Sequence, residues 1–486
     1  MSTRTPRKLR LWEALALSVG LMGPTLAMGL NGPGVAATVG KAVPLVFVLG
    51  FVGVGLVGYG FWRLTQHFNH AGSVYALAGA TIGPRAGFFG GFALLGTYLF
   101  FLVCTNAAVG VFAHAFLEQV GVRNSGPWII AALVTAVGIT VLNARDARVT
   151  ARTLLIIEGV GIVAMLVLAG VVVGGSALGF GRGTPAGGGT GLDLSTFTTG
   201  GTTWGAIMTA TVFAFLSWAG FEACASLGEE TDDPKRNIPR ALVGSVVLTG
   251  ALYVLMMFTE TIGFGTGQAG VTAFAQAESP LSTLSEHYIG TWFGLVVAFT
   301  AVASAFASSL SSSAAASRMV YALARDGFGP RSLARIDPAT GIPRRALVVV
   351  AAVALVVDVV VWAAKVGAFD AYYWFATLGV LCVLVAYAVV GAGVIKFIVS
   401  RRGPVRLWEA AIPAAGICYL LFVIYKQSAG QTAPFSYFPW VAGAWCLVGL
   451  VVVVVAPGLT RRIGERLTGE LTSTGSDVEE MVESHS

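Results

Sequence analysis

Charge is scarce in this sequence: only 11% of its 486 residues are Asp, Glu, Lys or Arg, against about 25% in an ordinary soluble domain. There is no long basic run and no interleaved aromatic platform, so the formal net charge of +6 is not the footprint of a nucleic-acid binder. Cysteine is sparse as well. Cys104, Cys224, Cys382, Cys418 and Cys446 each lie in an apolar stretch, without a CxxC pair or a Cys/His cluster. That pattern supports neither a disulfide framework nor a metal site, and each reads as a small packing residue. The five histidines, His67, His70, His114, His287 and His485, are scattered through loops, span ends and the tail. No HExxH, P-loop, GxSxG with partners or acid/His cluster accompanies them, so a membrane-embedded enzyme is a remote alternative and no cofactor is implied. No charged ring or filter repeat marks a channel.

What the chain has is apolar length. It is 56% hydrophobic with a mean hydropathy of +0.79, which makes it a polytopic membrane protein. A ruler of about 20 residues per crossing gives twelve spans, at roughly 12–37, 43–63, 86–117, 127–143, 153–175, 203–228, 241–264, 291–322, 345–364, 370–398, 408–427 and 437–456. Arg4, Arg7, Lys8 and Arg10 mimic a signal-peptide n-region, but the long helix and many spans that follow make it a retained first span. The Gly-, Ser- and Thr-rich stretch 174–203 reads as an external loop, and the polar residues 458–486 as a disordered tail. With both termini cytoplasmic, 25 of the 30 lysines and arginines fall on the inner side, leaving Lys41, Arg123, Arg182, Lys365 and Lys426 outside. The positive-inside rule therefore supports an even span count in a cell membrane, N-in and C-in.

Two spans carry break signals. Span 1 contains Gly20-Leu21-Met22-Gly23-Pro24-Thr25 and then Asn31-Gly32-Pro33-Gly34; span 6 contains Ser217-Trp218-Ala219-Gly220. These are the first spans of two five-span blocks, and an odd block size inverts the second block. Paired interrupted helices in corresponding positions point to a transporter binding site. The plainer reading of span 1 alone is a proline kink with close glycine packing.

Three motifs then carry a resemblance. Gly220-Phe221-Glu222 runs into Glu229-Glu230 and Asp233-Pro234-Lys235-Arg236-Asn237-Ile238-Pro239-Arg240-Ala241. Ala71-Gly72-Ser73-Val74-Tyr75 precedes Gly83-Pro84-Arg85-Ala86-Gly87-Phe88-Phe89-Gly90-Gly91. Ser317-Arg318-Met319-Val320-Tyr321 continues to Arg325-Asp326-Gly327 and Gly341-Ile342-Pro343. In this order the chain resembles the amino acid–polyamine–organocation (APC) superfamily of permeases over roughly residues 12–400. Asp233 replaces the usual Asn, Gly91 stands where Trp is usual, and Gly23-Pro24-Thr25-Leu26 replaces a GSGIF-like segment.

The resemblance implies an all-α fold of twelve transmembrane helices, a LeuT-like 5+5 inverted repeat plus two C-terminal helices. The expected division is 1–11 cytoplasmic N-terminus, 12–175 first repeat, 176–202 external loop, 203–398 second repeat, 399–457 last two spans and 458–486 cytoplasmic tail. The break in span 1 exposes N–H groups near Gly23, Pro24, Thr25 and Leu26 to a substrate carboxylate, with Pro24 offering only a carbonyl. The break in span 6 exposes carbonyls of Phe215, Leu216 and Ser217, and Gly220 forms its turn. Leu216 lies where some relatives place an aromatic gate; Phe215 or Trp218 substitutes, or both are packing residues.

Glu222 and Glu158 lie inside spans, and membrane carboxylates are functional candidates by default. Glu222 caps the inner half of span 6 or carries a coupled proton. Glu158, in span 5, carries the proton or is a structural partner to polar groups of span 1 or span 8. Span 8 holds Ser304, Ser308, Ser309, Ser311, Ser312 and Ser313; Ser308 and Ser309 are a possible cation site, with small-residue packing the plainer reading. Asn106 and Asp358 read as isolated polar residues. Glu229 or Glu230, paired with an arginine such as Arg85, forms an inner gate. The expected function is a secondary active transporter of amino acids or related amines, coupled to H+, working by alternating access. A Na+ symporter or an exchanger is the alternative. The partners are the small-molecule substrate, the co-transported ion and the lipid bilayer, and no nucleic acid or metal. The absence of an acidic pair in the site argues against a polyamine.

Overall fold

Lipid offers no partner to a backbone N–H or C=O, so an apolar chain must close its hydrogen bonds within helices. The computed structural model describes residues 8–68, 73–122, 126–145, 147–179, 183–187, 191–228, 230–338, 340–400 and 406–455. Among these, every regular element is a helix, and one isolated bridge joins Leu9 to Thr231. The expected tail and Glu229 lie outside the described residues.

Span 1 is two helices, α1 (Leu11–Met22) and α2 (Pro24–Val39), followed by α3 (Val43–Thr65). A short α4 (Val74–Thr81) precedes α5 (Pro84–Gln119), α6 (Ile129–Asn143) and α7 (Ala147–Leu178). The second half opens with α8 (Trp204–Trp218) and a 3₁₀ segment, Ala223–Leu227, and continues with α9 (Pro234–Phe264). Then come α10 (Gln268–Ala275), α11 (Pro280–Tyr288), α12 (Thr291–Arg325), α13 (Arg344–Ala363), α14 (Ala368–Val399), α15 (Ala411–Ser428) and α16 (Phe438–Val455). Proline stands in the first turn of α2, α3, α5, α9 and α11, where its missing N–H costs nothing.

Ten stretches are long and apolar enough to cross a membrane. The first, Leu11–Thr65, makes two passes, and the shorter apolar α6 completes twelve. The 20-residue ruler overlooked α4, α10 and α11, which are too short to register on it. It also read Pro234–Arg240 as loop, whereas α9 begins at Pro234. Asp233 before it is left-handed (φ 40°, ψ 63°), a conformation that Asn and Asp tolerate best.

Cross-loop contacts tie the loops together at each end of the bundle. On the N-terminal face, Leu9 N–H donates to Glu230 O (2.8 Å) and Tyr75 bonds Asp326. On the opposite face, Trp128 Nε1 donates to Val366 O (3.1 Å), and Lys41 pairs with Asp193 (3.2 Å). Hydrogen bonds, chiefly from Ser195, hold the Asp193 carboxyl down at about 2.

In α5, 83% of the most apolar window is buried, against 22% in α16. The central helix therefore packs along α12 and α14, while α15 and α16 lie at the lipid-facing rim. Four helices of the first block each pack against their counterpart in the second: α2 on α8, α3 on α9, α5 on α12 and α6 on α13. That is the arrangement expected of two repeats related by a two-fold axis. Gly91, where Trp is usual, is also explained: a Cβ there would lie 2.8 Å from Cβ of the fully buried Tyr75.

Candidate functional site

The first break is a single residue wide. Gly23 is left-handed (φ 53°, ψ 72°) and its N–H closes α1 on Val19 O at 3.0 Å. Pro24 then starts α2, so α1 ends in free carbonyls and α2 begins with free N–H groups. Two serines one turn apart on α12 tie these ends together. Ser308 Oγ donates to Leu21 O (2.7 Å), and Ser304 Oγ accepts from Leu26 N–H (3.3 Å). Ser304 in turn donates to the Glu158 carboxyl on α7, with both oxygens at 3.1 Å.

The second break spans Ala219 to Glu222. Gly220 adopts φ +100°, and its N–H donates to the Tyr387 hydroxyl on α14 (3.3 Å). Tyr387 donates to Glu222 Oε2, and Tyr98 on α5 donates to Oε1 (2.8 Å). Ser18 on α1 holds the far side, donating to Phe221 O (2.7 Å) and accepting from Cys224 N–H (2.9 Å). Both breaks thus share one wiring: a backbone N–H donates to a hydroxyl of a neighbouring helix, and that hydroxyl donates to a buried carboxyl.

Between the breaks lies a packed apolar cluster. Leu26 and Leu30 of α2 meet Ala107 and Ala108 of α5, Ala301 and Ala305 of α12, and Tyr372 of α14, with the half-buried Leu216 against them. Above it, Asn31 donates to Ser217 Oγ (2.8 Å) and accepts from Tyr372 (3.2 Å).

The residues singled out from sequence do not all meet at the breaks. Gly23, Pro24, Leu26, Leu216, Ser217, Gly220, Glu158 and Ser308 gather at the breaks as described. Thr25 is there too, but its side chain turns away, onto Gly161 of α7, beside Glu158. Phe215 and Trp218 do not face this cluster. Phe215 packs on Tyr387 and Tyr419, and Trp218 lies among Phe47, Phe51 and Tyr253. Helix α8 runs through Trp218, so the break begins two residues later than the motif implied; likewise α2 continues helical through Asn31-Gly32-Pro33-Gly34. Ser309 turns to Thr105 of α5 (2.9 Å), away from Ser308, so the expected serine pair is not assembled. Glu222 makes no capping bond to the 3₁₀ segment; its partners are the two tyrosines. Asn106 and Asp358 are not isolated but bonded to each other at 2.8 Å. The sequence reading gave no role to Ser18, Tyr98, Asn31, Tyr372 or Tyr387. The available signal was a hydroxyl or amide deep in a span, where it must find a partner.

Residues 9–456 match the model of the amino acid permease family. The chain belongs to that family. It is 25% identical over 466 residues to the branched-chain amino acid permease BcaP of Lactococcus lactis, covering 90% of this chain and 92% of the relative. It is 28% identical over 476 residues to an uncharacterized transporter of Mycobacterium tuberculosis, covering 96% of each. The low-affinity putrescine importer PlaP of Escherichia coli is 24% identical over 314 residues, 64% of this chain and 66% of that one. The family is one of transporters rather than enzymes.

On its N-terminal face Glu230 pairs with an arginine, as expected, but the arginine is Arg318 and not Arg85. Glu230 takes a two-pronged contact from Arg318 of α12, at 3.1 and 3.3 Å. Arg85 is exposed and, among the described residues, forms no ion pair.

Proposed function

We propose that this permease is a secondary active transporter of amino acids or related amines, coupled to protons and working by alternating access in the cell membrane with both termini cytoplasmic. The observation that carries the reading is the link Leu26 N–H to Ser304 to Glu158, which joins a titratable group to the broken helix through one hydroxyl. A substrate carboxylate meets the positive end of α2 at the Thr25 N–H, because Pro24 has no N–H and those of Gly23 and Leu26 are engaged. The α-ammonium meets the carbonyls that end α8 at Phe215, Leu216 and Ser217. The substrate side chain lies toward the alanines that α5 and α12 place beside Leu26. Sodium coupling is less well supported, because Ser308 already donates to Leu21 O and Ser309 faces α5.

The test is reconstitution into liposomes with a panel of labelled amino acids and amines, imposing proton and sodium gradients separately. Proton-driven accumulation is expected. Accumulation driven by sodium alone would reject the coupling, and failure to accumulate or exchange any member of the panel would reject the substrate class.

The same cycle predicts a modest effect at the N-terminal gate. Arg318 is mostly buried and Glu230 partly exposed, so their pair is worth at most about 1 kcal/mol. Arg318→Ala is expected to shift the closed-to-open ratio by up to about fivefold. Faster alkylation of a cysteine placed at the buried Ser226 reads that shift, and Glu230→Ala should not add to it.

A further inference from the structure

One buried acid takes no part in either break. Glu260 lies on α9, one turn from the end at Phe264, and is fully buried. Among the described residues neither of its carboxyl oxygens has a hydrogen-bond partner. Its surroundings are apolar and close. The spot left open by the missing side chain of Gly32, on α2, is 3.1 Å from Glu260 Oε2, 2.9 Å from the Phe274 ring and 3.2 Å from Met257 Cε. Phe274 belongs to α10 and stacks flat on Phe264, with centroids 5.2 Å apart and planes at 9°. The short helix α10 is therefore the cover over this carboxyl. It folds back on the end of α9 by a contact so tight that a Cβ on Gly270 would lie 2.2 Å from Gly265 O.

We propose that Glu260 is a second proton-binding site of this permease, and that α10 seats over α2 and α9 only when the proton is in place. Neither α2 nor α10 carries a titratable or charged side chain. On α9 itself Tyr253 lies two turns back, and Lys235, Arg236 and Arg240 are at the far end. Of the other helices against α9, α3 brings Arg63 and α1 brings Glu13, both at the N-terminal face. Helix α7 brings Arg152 to that same face and Glu158, which is held by Ser304. Helix α11 brings Glu286, His287 and Tyr288; His287 meets Gly183 O, and the Tyr288 hydroxyl donates to Gly263 O. Lys41, just after α2, is engaged by Asp193 and Ser195. Among the described residues no cation faces Glu260, so an ionised carboxylate under the seated helix would be uncompensated. Lifting α10 opens the carboxyl to water on the opposite face, where the proton is released or taken up; seating it again removes one proton from that side. This rests on the transporter reading for its role in the cycle, but not for its existence.

The test uses the purified full-length protein with a cysteine in place of Met257, beneath α10, in the Glu260 and Glu260→Gln backgrounds. Alkylation at that position is resolved by mass spectrometry from pH 5 to pH 8. Thiolate chemistry is common to both backgrounds, so the ratio of the two rates isolates Glu260. One linked proton raises that ratio by up to about tenfold per pH unit, and at least tenfold is expected across the range. A flat ratio would overturn the proposal. Because Met257→Cys itself alters the packing, uptake in liposomes provides a second reading. The pH on the opposite face should modulate the wild type and Glu260→Asp, and no longer modulate Glu260→Gln; unaltered pH dependence in Glu260→Gln would overturn the proposal. If no substrate is transported at all, the transporter reading fails and the labelling ratio still decides the proton site.

Discussion

Glu158→Gln is expected to abolish proton-driven accumulation while leaving counterflow close to wild type. Glutamine has the same shape, and its carbonyl can still accept from Ser304, so the link from Leu26 N–H to Ser304 survives. What it lacks is a charge state to exchange. A gradient is worth about 1.4 kcal/mol per pH unit, so a one-proton symporter held at a gradient of two units concentrates its substrate about 100-fold. The Gln variant should stop at equal concentrations on both sides, yet still exchange labelled for unlabelled substrate at a similar rate. Accumulation at the wild-type level with counterflow also unchanged would show that Glu158 carries no coupled proton. Glu158→Ala provides the contrast: with the acceptor gone, the Ser304 hydroxyl that meets Leu26 N–H loses its second partner, and both assays should fall.

Glu158 separates two roles that a single acid in a span can play. A group held only by one shared hydroxyl can change its charge without collapsing its surroundings. Glu222 is held by two tyrosines from two scaffold helices, and Tyr387 is shared with the Gly220 N–H. That arrangement fixes the turn of the second break to α14, so Glu222 is foremost a positioning group for the break itself.

The spans and the two broken helices were legible because their signals are compositional: apolar length, charge placed in loops, and Gly or Pro inside a span. The family followed from three motifs in order. The partners were not legible, since they depend on which helix faces are apposed. Asn106 and Asp358 are 252 residues apart, and nothing local in either segment names the other. Ser308 and Ser309 look interchangeable in sequence, but adjacent residues on a helix point about 100° apart, so one meets α1 and the other α5. Trp218 misled for the opposite reason. Its place beside the break suggested a gate, whereas a large aromatic ring there serves to pack α8 onto α3 and α9. Glu260 was passed over because it stands in no motif; only the structure shows that, among the described residues, its carboxyl has no hydrogen-bond partner.

Gly220→Ala is expected to be among the most damaging single-methyl changes at the site. The position has φ +100°, where a side chain costs about 1–2 kcal/mol. A Cβ would also lie 2.5 Å from Leu21 Cδ2 and 2.6 Å from its Cγ, overpacking worth about 1–3 kcal/mol. The Leu21 side chain is buried and cannot retreat freely, so the residue must shift, and its carbonyl accepts from Ser308 at the other break. Strain at one break is therefore passed to its partner. A loss of about 2–5 kcal/mol is large against a typical total stability of about 5–15 kcal/mol, so Gly220→Ala should melt well below wild type and transport poorly, and Gly220→Val should not yield folded protein. Gly170→Ala is the matched control: it lies exposed on α7, and a Cβ there meets nothing within 4 Å, so the better helix former should leave melting and uptake unchanged or slightly improved. Equal melting of Gly220→Ala and wild type would mean that the two breaks are not in contact as described, and the shared wiring of the site would have to be abandoned.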